Sequence, residues 1–280
     1  MAKPTSSNKS QGIRLIRSTV DATKKWHAVV ISILIFIIVV GVWTWLTRPG
    51  GPVHEIILPR PLDIVNEIGY LLSQSFFWPN AFTTIKEIAV GWAFAVLVGI
   101  IFGALVAEIP AARTILYPYI ILFQAMPKVA FIPMFMVWFG FGSSSKIIVA
   151  AVVSFFPTFM NTLVGLSQTP EDGQRLMHSL GGSTLQRFWM LKLPAALPSI
   201  ITGINITLTF AIIGVVVAEF QGSHSGLGYL IEVFTFQLRI ARSFAVVIIL
   251  STLAFVIYAL TEWLGQRFVF WANAKNKTGV

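Results

Sequence analysis

Cysteine is absent from all 280 residues, and charge is scarce: Asp, Glu, Lys and Arg together make up 11% of the chain. Without a thiol there is no disulfide, no thiolate metal site and no cysteine nucleophile. Soluble domains carry roughly a quarter charged residues. Here 56% of residues are apolar and the mean hydropathy is +0.79, the composition of an integral membrane protein. A nucleotide-binding loop is also missing. Its nearest approach, Gly140–Lys146, has Ser145 where the second glycine must let backbone amides close on phosphate. His, Asp and Glu form no cluster at ligand spacing, so no metal site is expected. An intramembrane enzyme built on Ser143–Ser145 and His178 would need residues on opposite membrane faces, so no catalytic group is expected either. No internal repeat is visible.

What is present is a series of long apolar runs. The first 25 residues are a polar tail carrying Lys3, Lys9, Arg14, Arg17, Lys24 and Lys25. The membrane domain, 26–280, opens with Ala28–Leu46, long enough to cross a bilayer and longer than the core of a signal peptide. Trp43 and Trp45 stand at its far end, where an aromatic belt belongs. Further runs cover about 83–107, 114–139, 146–166, 198–220 and 243–270. The expected fold is all-α and polytopic, with six transmembrane helices and both termini in the cytoplasm.

The charges agree with that topology. The tail, Arg113, Arg175, Arg187, Lys192, Arg267, Lys275 and Lys277 fall on one side; Arg48, Arg60, Lys86, Lys146, Arg239 and Arg242 fall on the other. That asymmetry follows the positive-inside rule, so the net charge of +9 is a topology signal rather than a nucleic-acid footprint. Glu87 and Glu262 lie near span ends and are expected to reach the interface. His224 reads as a loop residue. Between the first two spans, Leu62, Val65, Ile68 and Leu72 recur at helical spacing, as in a short amphipathic helix lying on the membrane or capping the bundle.

The third run holds Pro118, Pro127 and Pro133, each of which removes a backbone donor. A broken or kinked span is expected, and irregular backbone at that depth belongs where it lines a cavity or is buried in protein. Gln124, Met126, Lys128 and Phe131 lie in the same stretch and are candidates for a translocation path. Asn161, Asn205 and Glu219 join them as polar residues of other spans, which either line the path or bond between helices. Lys128 either attracts an anionic substrate or pairs with Glu219. Gly99 and Gly103 form a small-xxx-small pattern suited to close helix packing.

Between the fourth and fifth runs stands a polar insert, about 167–197. Thr169 can cap a helix that begins at Pro170, with Glu171 and Asp172 favourable at its positive end. Leu176, Met177 and Leu180 form an apolar stripe, while Arg175 and His178 point elsewhere. Gly181 and Gly182 end this helix. Ser183-Thr184-Leu185-Gln186 is a capping box opening a second one, expected to stop at about Leu193, before Pro194. A chain mostly in lipid builds such a knob where a soluble protein grips it, unless it is an ordinary cytoplasmic loop packed on its own bundle.

This insert resembles the signature loop of binding-protein-dependent ATP-binding-cassette import permeases. The signature reads Glu-Ala-Ala, three residues, Gly, nine residues, Ile, one residue, Leu-Pro. Gly181 matches its glycine and Leu191-Lys192-Leu193-Pro194 its tail; Arg175-Leu176-Met177 replaces the opening triplet. Met126–Pro133, Val137–Gly142, Ala195–Gly203, Ala218–Phe220 and Gly226–Ile231 are similar to the nitrate/sulfonate/taurine group of these permeases. The resemblance implies a type I importer permease of a bacterial cytoplasmic membrane. Two ATPase subunits would bind ATP and Mg, since this chain holds no cofactor of its own. A second permease copy, forming a homodimer, and an extracytoplasmic solute-binding protein would complete the assembly. The coupling residues would be Glu171, Asp172, Arg175, Leu176, Met177, His178, Leu180, Gly181, Gly182, Leu193 and Pro194. The cargo would be a small anion such as a sulfonate, taurine or nitrate, or a heteroaromatic such as a thiamine pyrimidine precursor or riboflavin. An ion-coupled secondary transporter is the competing class; it predicts inverted repeats and charged pairs at mid-membrane.

Overall fold

The computed structural model describes residues 26–271 except 28 and 270; the basic tail, Lys275 and Lys277 lie outside the described residues. All regular elements among the described residues are helical. The chain divides into two units, 1–66 and 67–280.

In the first unit, α1 (Val29–Leu46) is apolar enough to span a membrane, and none of it is buried in protein. The ends of the loop after it are tied by side chains: Trp43 Nε1 donates to the Pro59 carbonyl at 3.0 Å and Arg60 Nε to the Thr47 carbonyl at 3.1 Å. The amphipathic helix is α2 (Pro61–Ser73), and its apolar stripe faces outward rather than capping the bundle. Ile64 and Leu71 are buried, whereas Leu62, Val65 and Leu72 are exposed. Both faces of α2 are apolar enough to bury, so hydrophobicity alone does not choose. Glu67 stands on the face of Ile64 and Leu71 and accepts two hydrogen bonds from Arg242, at 2.7 and 3.1 Å.

The second unit is built on three long helices: α3 (Phe77–Glu108), α6 (Ser143–Ser167) and α9 (Leu193–Glu219). The middle one, α6, packs against both of the others and is the most deeply buried span, at 56% against 28% for α3. Lipid is as apolar as leucine, so helices associate by close contact rather than by hydrophobic burial. Gly91, Ala95, Gly99 and Gly103 recur every fourth residue down α3 and are all buried. A Cβ at Gly99 would stand 2.9 Å from that of Thr158, and one at Gly103 would stand 2.7 Å from the Phe159 carbonyl. The Gly99/Gly103 pattern is therefore the lower half of a longer small-residue ridge. On the other flank of α6, Thr158 and Thr207 share a buried 2.7 Å hydrogen bond.

The three prolines of the third run behave differently. Pro118 sits inside α4 (Pro110–Ala125), and Pro133 occupies the first turn of α5 (Ile132–Phe139), where a missing donor costs little. Pro127 makes the break. It forces Met126 into extended backbone (ψ 134°), and a 3-10 turn, Lys128–Phe131, leads into α5 after a 74° bend. With this bent pair counted as one span, α1, α3, α6, α9 and α11 (Ile240–Phe268) bring the crossings to six. The short α10 (Leu227–Phe236) precedes α11.

One expected boundary is wrong. The second helix of the insert, α8 (Thr184–Arg187), does not stop at Pro194 but runs into α9, making one helix of 36 residues from Thr184 to Glu219. A π-turn, Phe188–Lys192, comes just before the proline. Its wider winding gives the pyrrolidine ring room against the preceding turn, so Pro194 costs one rung of the ladder rather than the helix.

Candidate functional site

The insert is the first candidate. Its helix α7 (Glu171–Ser179) has Pro170, not Thr169, at the N-cap. The Thr169 hydroxyl is buried and donates back to the Leu166 carbonyl at 3.1 Å, so it anchors the end of α6 instead of capping α7. At the other end the glycine corner is a Schellman motif. Gly182 N–H donates to the Met177 carbonyl at 2.9 Å and Gly181 N–H to that of His178 at 3.0 Å, with Gly181 at φ +74°. Ser183 and Gln186 then form a reciprocal capping box.

None of the residues of α7 is buried. Leu176 is 61% exposed, Leu180 74%, and on the following turns Leu185, Trp189 and Met190 are exposed as well. Glu171 and Arg175 pair with each other at 3.0 Å in solvent, and Asp172 and His178 are also exposed. Leu193 and Pro194 differ: both are partly buried, and Leu193 packs on the core cluster of Leu166, Ala196 and Ile200 at the root of the knob. The root is also tied by Lys192, whose ammonium meets both oxygens of Glu108 at 2.8 and 2.9 Å. Gly173 lets α7 settle on this root, since a Cβ there would come 3.2 Å from Leu191 Cδ1. The result is a rigid base carrying an exposed oily edge.

The second candidate is a cavity of about 580 Å³ beside the break at Pro127. Gln124, Met126, Lys128 and Asn161 all line it. Phe131, Asn205 and Glu219 do not. Its other walls, missed by a search for polar residues, are apolar: Val129, Val153, Phe156, Pro157, Met160, Phe210 and Ile213. The Lys128 ammonium lies 5.2 Å from the centre of the Phe123 ring and 5.1 Å from that of Phe156. Asn161 is oriented by its own helix, donating to the Pro157 carbonyl at 2.9 Å.

Lys128 does not pair with Glu219. Glu219 is buried at the end of α9, where it accepts 2.7 Å hydrogen bonds from Thr84 Oγ1 and from the backbone of Gly228. Leu227 N–H donates to Thr84 and Gly226 N–H to Asn80 Oδ1, so the first turn of α10 is held by side chains of α3 and α9. Glu219 is a cap, and a Cβ on Gly226 would run into its carboxylate. The ion pair that exists is Glu87 with Lys146, at 2.8 Å and with both side chains at most 1% exposed. Lys146 also donates to Ser223 Oγ at 3.0 Å. Glu87 does not reach an interface as expected: its position near a span end suggested solvent, but it is buried against Lys146, which loop 222–226 holds through Ser223 and Ser225. Glu262 is exposed, and so is His224.

Residues 95–270 match the family described as "Binding-protein-dependent transport system inner membrane component". The chain is 31% identical over 238 residues to the formylaminopyrimidine transport permease protein ThiX of Halalkalibacterium halodurans, covering 85% of this chain and 94% of that protein. It is 28% identical to the taurine transport system permease protein TauC of Escherichia coli, over 87% of this chain and 90% of that one. Among solved structures, the MetNI methionine ABC transporter in an inward-facing conformation aligns with a TM-score of 0.57 at 20% identity. That alignment covers 70% of this chain and 97% of the other.

Proposed function

Since the chain belongs to the family of binding-protein-dependent inner membrane transport components, and so is a permease subunit of an ATP-binding-cassette importer, we propose that its insert is the contact through which a separate ATPase moves it. The observation that carries this is the exposed edge of Leu176, Leu180, Leu185, Trp189 and Met190 on a stiff, capped base. Five large apolar side chains within residues 176–190 have no reason to face water unless another protein covers them.

Glu171, Asp172, Arg175, Leu176, Met177, His178 and Leu180 form the docking face in this reading, and Gly181 and Gly182 fix its angle. Leu193 and Pro194 act at one remove, by setting the root. Two ATPase subunits, holding ATP and Mg between them, grip one insert on each of two identical permease chains. A solute-binding protein delivers cargo on the opposite side. The insert and both termini then face the cytoplasm, and the tail, 1–25, precedes a membrane domain, 26–280. ATP-driven closure moves the paired permeases between two global states, each favoured by a different ligand. The cavity beside Pro127, with Gln124, Met126, Lys128 and Asn161 in its wall, is the passage for a small solute. Relatives carry names for formylaminopyrimidine, riboflavin, taurine and aliphatic sulfonates, which bounds the chemistry to small anions and heteroaromatics.

The absence of native cysteine makes the test direct. A Leu180→Cys chain, co-expressed with its transport partners, is expected to crosslink to an ATPase subunit and to resist membrane-impermeant maleimide in intact cells. Crosslinks confined to its own chain, or labelling from outside, overturn the reading.

A further inference from the structure

The cavity beside Pro127 has a composition that discriminates between the two cargo chemistries. Eight of its eleven wall residues are apolar, two of them the phenylalanines Phe156 and Phe210. The polar groups are few and distinct in kind: one ammonium, Lys128, and two amides, Gln124 and Asn161. Among the described residues no carboxylate lies within ion-pair distance of Lys128, whose contacts are the faces of Phe123 and Phe156. The Gln124 side chain, exposed at the rim of the same space, makes no hydrogen bond among the described residues. Donors left open in an oily cavity are open toward a ligand that accepts.

We propose that this cavity is a ligand site for a planar heteroaromatic with hydrogen-bond acceptors along one edge. The proposal rests on the importer reading and narrows it to one cargo class. The ring lies against Phe156 and Phe210, the acceptor edge meets Lys128 and Gln124, and Asn161 reads the opposite edge. A small alkyl sulfonate fits the ammonium but covers little else. Its body is two or three methylenes, and a cavity of about 580 Å³ walled by aromatic and aliphatic side chains would stay mostly wet around it. A ring stacked on phenylalanine uses that wall, because aromatic pairs attract beyond the area they bury. Lys128 between two ring faces is already held in place by cation–π attraction, so it need not be ordered by the ligand.

Three probes separate the outcomes: a formylaminopyrimidine, riboflavin and taurine. The full chain, reconstituted with its ATPase subunits in lipid nanodiscs, is heated with increasing concentrations of each, and the temperature at which it leaves the monodisperse peak is recorded. At least one of the two heteroaromatics is expected to stabilise the chain in a saturable way, and taurine is not. Lys128→Met and Phe210→Leu should each weaken the apparent affinity about tenfold, the effect of losing one cation contact or one ring contact. Lys128→Arg should retain most of it. Phe210 is 42% exposed, so its replacement does not open the core, and the unliganded transition of each variant verifies that. Stabilisation by taurine alone, by none of the probes, or by a heteroaromatic equally in wild type and both variants overturns the proposal. Recovery of the ATPase subunits in the nanodisc reads the importer assignment separately.

Discussion

The chain has two polar regions at opposite ends of α9, built on contrary principles. Around Glu219, every charge is inside: Glu87, Lys146 and Glu219 are essentially without solvent, with Glu87 paired to Lys146 and Glu219 bonded to Thr84 and Gly228. Around Leu180, every charge is outside, and it is the leucines that lack a neighbour. The first region is finished within one chain. The second leaves its leucines uncovered by its own chain. Buried charges specify a single arrangement because any departure strands one of them, whereas exposed leucines on a capped helix hold their shape while free to change partners. A machine needs one of each, a joint that does not slip and a face that can be gripped.

The contrast is broken most severely by Lys146→Met, which leaves the Glu87 carboxylate buried without its cation. A loss of about 3–5 kcal/mol is expected, read as a large fall in the thermal transition of the purified chain. Adding Glu87→Gln should restore more than half of that loss. If the single variant melts like wild type, the region around Glu219 is not the closed knot described above. Gly181→Val comes next. Its left-handed backbone disfavours any Cβ by about 1–2 kcal/mol, and a β-branched one more. The expected outcome is normal membrane insertion with uptake lost and ATPase activity no longer raised by substrate, while Gly181→Asn keeps part of both.

Leu176→Ser with Leu180→Ser sharpens the comparison further. Removing exposed side chains should leave the transition temperature unchanged while co-purification of the ATPase falls several-fold. A variant that instead melts early would mean the leucines already pack within the chain. Smallest is Ser183→Ala, which removes one half of the capping box. It should cost about 1 kcal/mol locally, visible as faster amide exchange at Thr184 to Gln186 and a modest drop in uptake.

How much of this could be read from residues alone depended on the range of the interaction involved. The Gly181 corner and the Ser183 box are made by residues within five positions of each other, and both lie where the sequence puts them. The third span is broken as its three prolines suggested, although the sequence did not say that Pro127 would be the one to break it. What failed was long-range or permissive. Nothing local says that Lys146 meets Glu87 rather than solvent, or that Glu219 caps a helix instead of pairing with Lys128; those are meetings of residues up to 135 positions apart. Pro194 misled in another way, because a π-turn is an accommodation that propensity does not encode. The aromatic wall of the cavity was hidden by its ordinariness. Phe156 and Phe210 look like any lipid-facing phenylalanine until the fold turns them to a shared space.

The unbroken helix from Thr184 to Glu219 has a mechanical corollary. At 1.5 Å per residue it is a strut of about 50 Å, with the exposed apolar edge at one tip and the clamped Glu219 at the other. A strut conveys tilt along its length without loss, so a few degrees imposed at Leu185 become a lateral sweep of Phe210 past the cavity wall. Its slack lies at the wide turn Phe188–Lys192 and at Pro194 and Pro198 just beyond, close to where a clutch would be placed.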